Sequence, residues 1–376
     1  MPIIEDSIEA TYEKMREKLI SVVPDAELRY KAELVFEINR LKKERSAVIL
    51  GHNYMEPALY HSIPDHVGDS FELARLAADT DAETIVFCGV LFMAETAKIL
   101  SPHKTVLIPS AKAGCSLAAS ITGEDVRALK ERFPGLPVVC YVNTSADVKA
   151  ESDACCTSSN GAVVVESFGD ETVIFLPDEY LAGNVARWTG RQIVFPTDRD
   201  GFSGGGNVWH RSPTGGTTGY KPVPQKGAII GWPGRCEVHE KFTVDDVSNA
   251  RRQFPDVTVL AHPECSPEVV EAADLAGSTS AMIRSVRESD ARRYLLLTEC
   301  CMGDNIAAEN REKEIVRLCS VRCPHMDEIT LEDTLASLQL NRYVVEVPDD
   351  IRRRARRALD KMLEIGTLAA GQSSGG

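Results

Sequence analysis

Cysteine is the residue type that most clearly offers chemistry in this chain. Three of the 11 cysteines, Cys115, Cys236 and Cys323, begin the same phrase: cysteine, six residues, threonine, any residue, Glu or Asp, then Asp. The spacing that relates Cys115 to Cys236 also relates Thr122 to Thr243, without a gap. Self-similarity at a constant spacing indicates repeated structural units. Three thiols at equivalent positions of such units suit a metal centre.

Two kinds of metal centre are consistent with these thiols. Zinc would require a fourth protein ligand, for which His239 and His325 are available, although structural zinc usually uses C-x2-C pairs. A 4Fe-4S cluster normally takes four thiolates, so three leave one iron open as a Lewis acid. Most other cysteines lack a counterpart in the repeat and are interpreted as packing or incidental thiols: Cys88, Cys155, Cys156, Cys265, Cys300 and Cys301. Cys319 precedes Cys323 by four residues, and its role is left open.

Each repeated cysteine precedes a predicted helix. Thr122, Thr243 and Thr330 are N-cap candidates, because acidic residues follow each of them in the first helical turn. Short apolar strands are predicted at 138–142 and 257–261, after the first two of these helices, and a matching strand at 47–51.

Polar side chains follow all three strands. Ligands of open α/β sheets bind at the carboxyl ends of strands, so these residues are candidate site residues. They are His52, Asn53, Tyr54, Tyr141, Asn143, His262 and Glu264. Glu264 and Tyr54 suit proton transfer, and His52 and His262 suit anionic groups. Ser70, Ser158 and Ser278 recur after the strands, and if they open helices they provide anion sites.

The sequence therefore predicts an α/β fold of three related three-layer units around a central site. The predicted segments are a helical start at 1–45, units at 46–128, 129–247 and 248–345, and a closing helix with a flexible tail at 346–376. The middle unit contains a Gly- and Pro-rich insertion at 197–226, which we expect to be a loop. A surface decoration and an active-site lid are equally consistent with it.

Composition excludes several classes of function. The formal net charge of -14 offers no broad basic field for nucleic acid. No apolar run approaches the ~20 residues of a membrane span, and the start lacks the basic region of an export signal. We therefore expect a cytoplasmic protein, whose thiols are more often catalytic or metal-bound than disulfide-bonded.

The ordered motifs of the chain resemble those of the quinolinate synthase family. The resemblance runs from about residue 30 to 345 and rests on GHNYMEP at 51–57, GDS at 68–70, FCGVLFMAETAKIL at 87–100, AGCSLA at 113–118, YVNTSADVKA at 141–150, TSSN at 157–160, FLPDEYLA at 175–182, GRCEVHEKF at 234–242, HPEC at 262–265, GSTS at 277–280 and CPHM at 323–326. It implies a pseudo-threefold protein with a 4Fe-4S cluster on Cys115, Cys236 and Cys323.

The resemblance also implies a reaction and its site. The family condenses iminoaspartate with dihydroxyacetone phosphate, releasing phosphate and water, to form quinolinate for NAD biosynthesis. L-aspartate oxidase would supply the iminoaspartate. Substrate contacts are expected from His52, Ser70, Tyr141, Asn143, Ser158, His262, Glu264, Ser278 and Thr279. The catalytic set is expected to be Glu264, Tyr54, His52, His262 and Tyr141.

Two features depart from the family pattern. The insertion at 197–226 is long, and Cys319 gives a C-x3-C spacing beside the third expected ligand, which leaves disulfide regulation open. Three other readings compete with the resemblance: an aconitase-like hydro-lyase, an iron-sulfur sensor or electron carrier, and a zinc-bound binding module. A sensor or carrier would not require the His, Tyr, Glu and Ser side chains at three strand ends.

Overall fold

A computed structural model describes residues 2–196, 207–211, 217–222, 227–316, 318 and 321–373. Its helices and strands form an α/β protein with three β-sheets, which confirms the predicted α/β class. The described residues group into two compact units. Unit 1 comprises Met1–Gly114, Val244–His262 and Ala272–Glu346, and unit 2 comprises Cys115–Thr243, Pro263–Glu271 and Val347–Gly376.

The strands are short and most of them are buried. They are β1 (Ala47–His52), β2 (His66–Gly68), β3 (Thr84–Cys88), β4 (Thr105–Leu107), β5 (Val138–Tyr141), β6 (Ala154–Cys156), β7 (Val173–Leu176), β8 (Gln192–Pro196), β9 (Asn207–Arg211), β10 (Thr217–Pro222), β11 (Ala228–Gly231), β12 (Thr258–Ala261), β13 (Leu275–Ala276), β14 (Arg293–Leu297) and β15 (Glu314–Val316).

Helices connect most of the strands. They are α1 (Ile8–Leu19), α2 (Asp25–Glu44), α3 (Pro57–Tyr60), α4 (Ser70–Asp79), α5 (Leu91–Leu100), α6 (Ser116–Ala119), α7 (Gly123–Arg132), α8 (Ala146–Ala150), α9 (Gly161–Glu166), α10 (Glu179–Trp188), α11 (Val244–Gln253), α12 (Pro267–Ala272), α13 (Thr279–Glu288), α14 (Cys300–Glu309), α15 (Leu331–Leu340) and α16 (Asp349–Ser373). A 3-10 turn spans His239–Lys241.

Unit 1 contains two four-stranded parallel sheets with the same strand order. The first is ordered β2-β1-β3-β4 and the other β13-β12-β14-β15. In both, the first strand in the chain lies between the second and the third. Helical crossovers connect such parallel strands, and the strands' carboxyl ends then lie at one edge of each sheet.

Unit 2 contains the third sheet, ordered β10-β9-β8-β11-β7-β5-β6. Strands β6, β5, β7, β11 and β8 pair in parallel, and β5 again lies between the two strands that follow it in the chain. Strands β9 and β10 are antiparallel additions at the β8 edge.

The helix starts predicted from the repeated phrase are confirmed where their caps are resolved. The Thr122 side chain accepts a hydrogen bond from Asp125 N and caps α7, and Thr330 caps α15 in the same way through Asp333 N. Helix α11 begins directly after Thr243. The predicted strands at 47–51, 138–142 and 257–261 match β1, β5 and β12 within one residue at each end.

The predicted insertion loop is partly wrong. Its described residues form β9 and β10, an antiparallel pair, because runs rich in Thr, Val, Trp and Tyr favour strands even between Gly- and Pro-rich stretches. The rest of 197–226 lies outside the described residues. The choice between a decoration and a lid therefore stays a prediction.

The chain ends are largely helical, as predicted. Helices α1 and α2 pack together within unit 1. Helix α16 packs on α8 and β6 within unit 2 and buries Ala355, Ala358, Leu359 and Met362. It extends to Ser373, so the closing helix covers most of the segment at 346–376.

Candidate active site

Glu264 is the centre of a buried polar group in unit 2. The residue is 3% exposed. Its Oε1 accepts a hydrogen bond of 2.6 Å from Tyr141 Oη and one of 3.1 Å from Asn143 Nδ2. Tyr141 ends β5 and Asn143 lies two residues later, so the strand end positions both donors. These three predicted site residues therefore meet at one carboxylate.

His239 joins this carboxylate to a cysteine. Its Nδ1 lies 2.7 Å from Glu264 Oε2 and 3.1 Å from Cys236 Sγ. The donor atoms of these three residues all lie within 4.8 Å of one another, a spacing compatible with metal binding. The short turn that begins at His239 follows Cys236 by three residues and holds the imidazole against both partners. His239 is therefore placed to act either as a metal ligand or as a proton-transfer group.

Burial controls the charges of this group. Desolvation, followed by the charge of Glu264 and that of nearby Cys115, raises the pKa of the Cys236 thiol well above its usual value. Desolvation and the charge of Glu264 also raise the pKa of Asp178 well above its ordinary range. Without a cation the Cys236 thiol keeps its proton. A metal ion that bound there would displace that proton, as thiolate ligation requires.

The end of β1 positions a second set of predicted residues in unit 1. His52 is buried, and its Nδ1 accepts a hydrogen bond of 3.3 Å from Tyr54 N. The His52 and Tyr54 rings meet edge to face with centroids 4.6 Å apart. Tyr54 Oη lies 2.6 Å from Thr298 Oγ1, and its ring packs on the apolar core around Leu260 and Tyr294. Packing and this hydrogen bond fix the phenol.

A polar network connects the starts of α4 and α13 within unit 1. Asn53 Nδ2 donates to Thr279 Oγ1 over 2.9 Å. Ser280 Oγ donates to Glu72 and accepts from Asp69 N over 3.2 Å. The two helix starts are therefore held together at one place.

The three predicted serines differ in position. Ser278 caps α13, and its Oγ accepts from Ala281 N, which confirms the predicted helix start. Ser70 is the first residue of α4, but Asp69 provides the cap. Ser158 lies ahead of α9, whose N-cap is Asn160. Ser70 and Ser278 therefore lie at helix starts, as predicted. Ser158 does not, because a turn that ends at Asn160 separates it from α9.

His262 and the third cysteine belong to unit 1. His262 is buried directly after β12, and its N donates to Leu297 O over 3.3 Å. Cys323 is half-buried and begins a turn in which its carbonyl accepts from Met326 N and Asp327 N. A Cβ built on Gly114 would lie 3.4 Å from His325 Nδ1, so this turn lies against the residue that precedes Cys115.

Exposure distinguishes the cysteines. Cys115, Cys236, Cys300 and Cys323 are half-buried, whereas the remaining described cysteines are buried. The described cysteines form no disulfide with one another. Cys319 lies outside the described residues, so its regulatory disulfide stays a prediction. Glu299, Cys300 and Cys301 form a second group whose donor atoms lie within 4.8 Å of one another.

Among the residues of these groups that sequence reasoning missed are Thr298, Asp178 and Glu72. Thr298 follows the apolar strand β14, and the rule that polar residues at strand ends form sites would have selected it. Asp178 lies within the motif FLPDEYLA, where the structure shows that it caps α10. Glu72 gave no signal beyond its place in the first turn of α4.

No helix in the described ranges is both long and apolar enough to cross a membrane.

Together, the fold and these groups define an α/β protein with a buried carboxylate, phenol and imidazole beside thiols, a donor set compatible with a metal cofactor. A family model, quinolinate synthetase A protein, matches residues 36–364. The quinolinate synthase of Sinorhizobium fredii is 48% identical over 93% of this chain and 87% of its own length. Quinolinate synthase 1 of Mesorhizobium japonicum is 47% identical over 97% of this chain and 100% of its own.

A more distant match has the same name. The quinolinate synthase of Caulobacter vibrioides is 45% identical over 95% of this chain and 89% of its own length. The chain belongs to the quinolinate synthetase A family. It is an enzyme of quinolinate synthesis, which the family places in NAD biosynthesis, and the resemblance found in the sequence is confirmed.

Proposed function

We propose that the chain condenses iminoaspartate with dihydroxyacetone phosphate to quinolinate, releasing phosphate and water. The observation that supports this proposal most strongly is the Glu264 site. Ring formation requires protons to leave carbon and nitrogen and to reach the departing oxygens. A buried carboxylate with a phenol at 2.6 Å and an imidazole at 2.7 Å offers groups for these transfers.

Glu264 is proposed as the principal general base. Tyr141 and Asn143 hold one of its oxygens, and His239 holds the other, so the carboxylate has a fixed orientation. A fixed base loses little entropy when substrate arrives. Tyr141 Oη can return a proton through the same hydrogen bond. Tyr54 is proposed as a second proton donor, oriented by Thr298.

The substrate contacts are proposed at the strand ends and helix starts. Asn143 Oδ1 is buried without a hydrogen-bond partner in the described part of the chain, so it can accept one from a substrate N-H or O-H. The start of α13 suits carboxylate or phosphate groups. The proposed contacts are His52, Ser70, Tyr141, Asn143, Ser158, His262, Glu264, Ser278 and Thr279.

The cofactor is proposed to be a 4Fe-4S cluster held by Cys115, Cys236 and Cys323. The fit rests on the half-burial of these thiols, on the proximity of Cys115 to Cys236, and on the contact of Gly114 with His325. When bound, such a cluster supplies an open iron that polarises a substrate oxygen. His239 would then keep Glu264 oriented beside a liganded Cys236.

The organisation into units, the source of iminoaspartate and the place of reaction are also proposed. We propose three units, at 46–128, 129–247 and 248–345, related by a pseudo-threefold axis around the cluster. The recurring position of the first strand in each sheet supports this arrangement. L-aspartate oxidase is the proposed source of iminoaspartate, since this imine hydrolyses in water and needs a nearby supply. We propose the cytoplasm as the place of reaction.

A direct assay tests the proposed reaction. The anaerobically reconstituted protein is mixed with dihydroxyacetone phosphate and with iminoaspartate generated by L-aspartate oxidase, and quinolinate and phosphate are quantified. We expect both products in equal amounts, and neither from Glu264→Gln at a comparable rate. An enzyme that dehydrates a hydroxy acid but forms no quinolinate would instead support the aconitase-like alternative.

A further inference from the structure

A buried asparagine holds the loop that carries Glu264. Asn184 lies on α10 and is 1% exposed. Its Nδ2 donates to Pro263 O over 2.8 Å and to Cys265 O over 3.0 Å, the carbonyls on either side of Glu264. These residues all belong to unit 2. One amide therefore fixes the backbone on both sides of the carboxylate.

The same arrangement recurs at the loop that follows β1. Asn305, on α14, is also 1% exposed. Its Nδ2 donates to Met55 O over 2.9 Å and to Asn53 O over 3.3 Å, the carbonyls that flank Tyr54. These residues all lie in unit 1. We call each such pair of hydrogen bonds an asparagine clamp, and we call 53–55 and 263–265 the clamped loops.

The two asparagines occupy corresponding positions in the chain. Asn184 follows Asp178, the N-cap of α10, by six residues. Asn305 follows Glu299, the N-cap of α14, by the same interval. The clamped loops correspond as well, since in each a histidine at the end of a strand comes two residues before the flanked side chain. Recurrence at matched positions of repeated units indicates a shared role rather than an isolated contact.

The amide oxygens indicate which part of each asparagine the fold uses. The Oδ1 atoms of Asn184 and Asn305 are both buried without a hydrogen-bond partner in the described part of the chain. A buried polar atom without a partner costs folding free energy. An apolar side chain of the same size would avoid this cost, but it would donate nothing to the loop. Donation by Nδ2 is therefore the property that distinguishes these asparagines from an ordinary core residue.

We propose that Asn184 is a positioning residue, which holds the backbone of Glu264 in the orientation that proton transfer requires. Asn305 does the same for Tyr54. The inference rests on the proposed function, because that function assigns both flanked side chains to proton transfer. A group that moves a proton must lie within hydrogen-bond reach of it, so a small shift of its loop slows the step.

Single variants with a matched control provide the first test. Asn184→Leu and Asn305→Leu keep the approximate size of the side chain and remove both donors. Each should lower kcat about 10-fold without loss of iron. Asn39→Leu is the control, because Asn39 Nδ2 also donates to two backbone carbonyls, Ile3 O at 2.8 Å and Ser62 O at 3.3 Å, outside both clamped loops. It should lower Tm by a similar amount and leave kcat within about twofold of wild type.

Conservative variants retain one hydrogen bond of each clamp. Burial favours the neutral form of a carboxyl, so the new side chain in Asn184→Asp can donate to one flanking carbonyl. Its loss of kcat should be smaller than that of Asn184→Leu, and the same order should hold at Asn305. Equal losses in the Asp and Leu variants would overturn the role of the donors. Where a Leu variant does not fold, the Asp variant is used in the remaining tests.

Crossed double variants distinguish positioning from a general loss of stability. If Asn184 acts through Glu264, Asn184→Leu should change kcat less than about twofold in a Glu264→Gln background. In a Tyr54→Phe background it should still lower kcat about 10-fold. Asn305→Leu should show the reverse pattern. An equal fall of kcat in both backgrounds would overturn the proposal.

Hydrogen exchange tests the clamps without a measurement of activity. Deuterium uptake by the peptide that covers 263–266 should rise in Asn184→Leu and stay at the wild-type level in Asn305→Leu. The peptide that covers 53–56 should show the opposite. Unchanged uptake in both clamped loops would overturn the clamps. A normal kcat in Glu264→Gln, together with these changes in uptake, would contradict the proposed role of Glu264 and leave the clamp supported.

Discussion

Two groups in the described part of the chain combine a thiol with a carboxylate, and they differ in the nitrogen-bearing side chain beside them. In unit 2, Cys236 and Glu264 share His239, whose imidazole touches both. In unit 1, Glu299, Cys300 and Cys301 have Arg322 instead. An imidazole can gain or lose a proton near neutral pH, whereas a guanidinium cannot. The first group therefore suits proton transfer, and the second holds a fixed positive charge.

The pKa values of the two thiols also differ. The pKa of Cys236 is raised by desolvation and by the nearby charge of Glu264, whereas that of Cys300 is lowered by Cys301 and Arg322. A neutral thiol becomes a ligand only when a metal replaces its proton. Similar donor atoms at similar spacing therefore differ in the pKa of their thiols.

The largest expected effect is the difference in turnover between variants of Cys236 and Cys300. Cys236→Ser should lower turnover by more than ~10³-fold, since a Lewis-acid metal contributes several kcal/mol to catalysis. Cys300→Ser should stay within about twofold of the wild-type rate, because Cys300 is outside the proposed catalytic set. Steady-state quinolinate formation measures both. Equal losses of turnover in the two variants would contradict the proposed difference between the two groups.

The two carboxylates should respond differently to the same isosteric change. Glu264→Gln should retain iron and slow turnover by at least ~10²-fold, because an amide cannot serve as a general base. Glu299→Gln should change turnover little, because the Glu299 carboxyl, with its pKa raised to about 8, is already neutral near pH 7. A near-normal rate for Glu264→Gln would remove Glu264 from the mechanism.

The imidazole is expected to act by orienting Glu264. His239→Ala should lower kcat by roughly 10- to 100-fold, the worth of a hydrogen bond to a charged group. His239→Gln should recover part of this loss, since its amide can still donate to Glu264 Oε2. Iron content and KM serve as controls. If Ala and Gln reduced kcat and iron equally, His239 would act as a metal ligand or a structural residue instead.

The smallest expected effect is on how the folding stability of the protein depends on pH. A carboxyl whose folded pKa is raised from 4.5 to about 8 is protonated in the native state and ionised when unfolded across that window. Its contribution to stability is therefore lost as pH rises through this range. Glu299→Gln removes this loss, so its Tm relative to wild type should rise by a few °C between pH 5 and pH 8.5. A constant difference would contradict the raised pKa.

The repeat made much of this architecture predictable. Local rules were sufficient for the caps Thr122 and Thr330 and for the strand end at Tyr141, because each depends on residues close in sequence. The contact of His239 with Glu264 was not predictable, since the two residues lie on separate loops. Cys300 was interpreted as an incidental thiol because it lacks a counterpart, yet Arg322 reaches it from a distant segment.

The metal content of the protein tests the central claim most directly. Iron, acid-labile sulfide and zinc are measured on anaerobically purified and reconstituted wild type, Cys236→Ser and Cys300→Ser. The account predicts about four iron and four sulfide per chain in wild type and in Cys300→Ser, with loss of both in Cys236→Ser. Zinc, or no metal after reconstitution, would contradict an open-iron cluster on Cys115, Cys236 and Cys323.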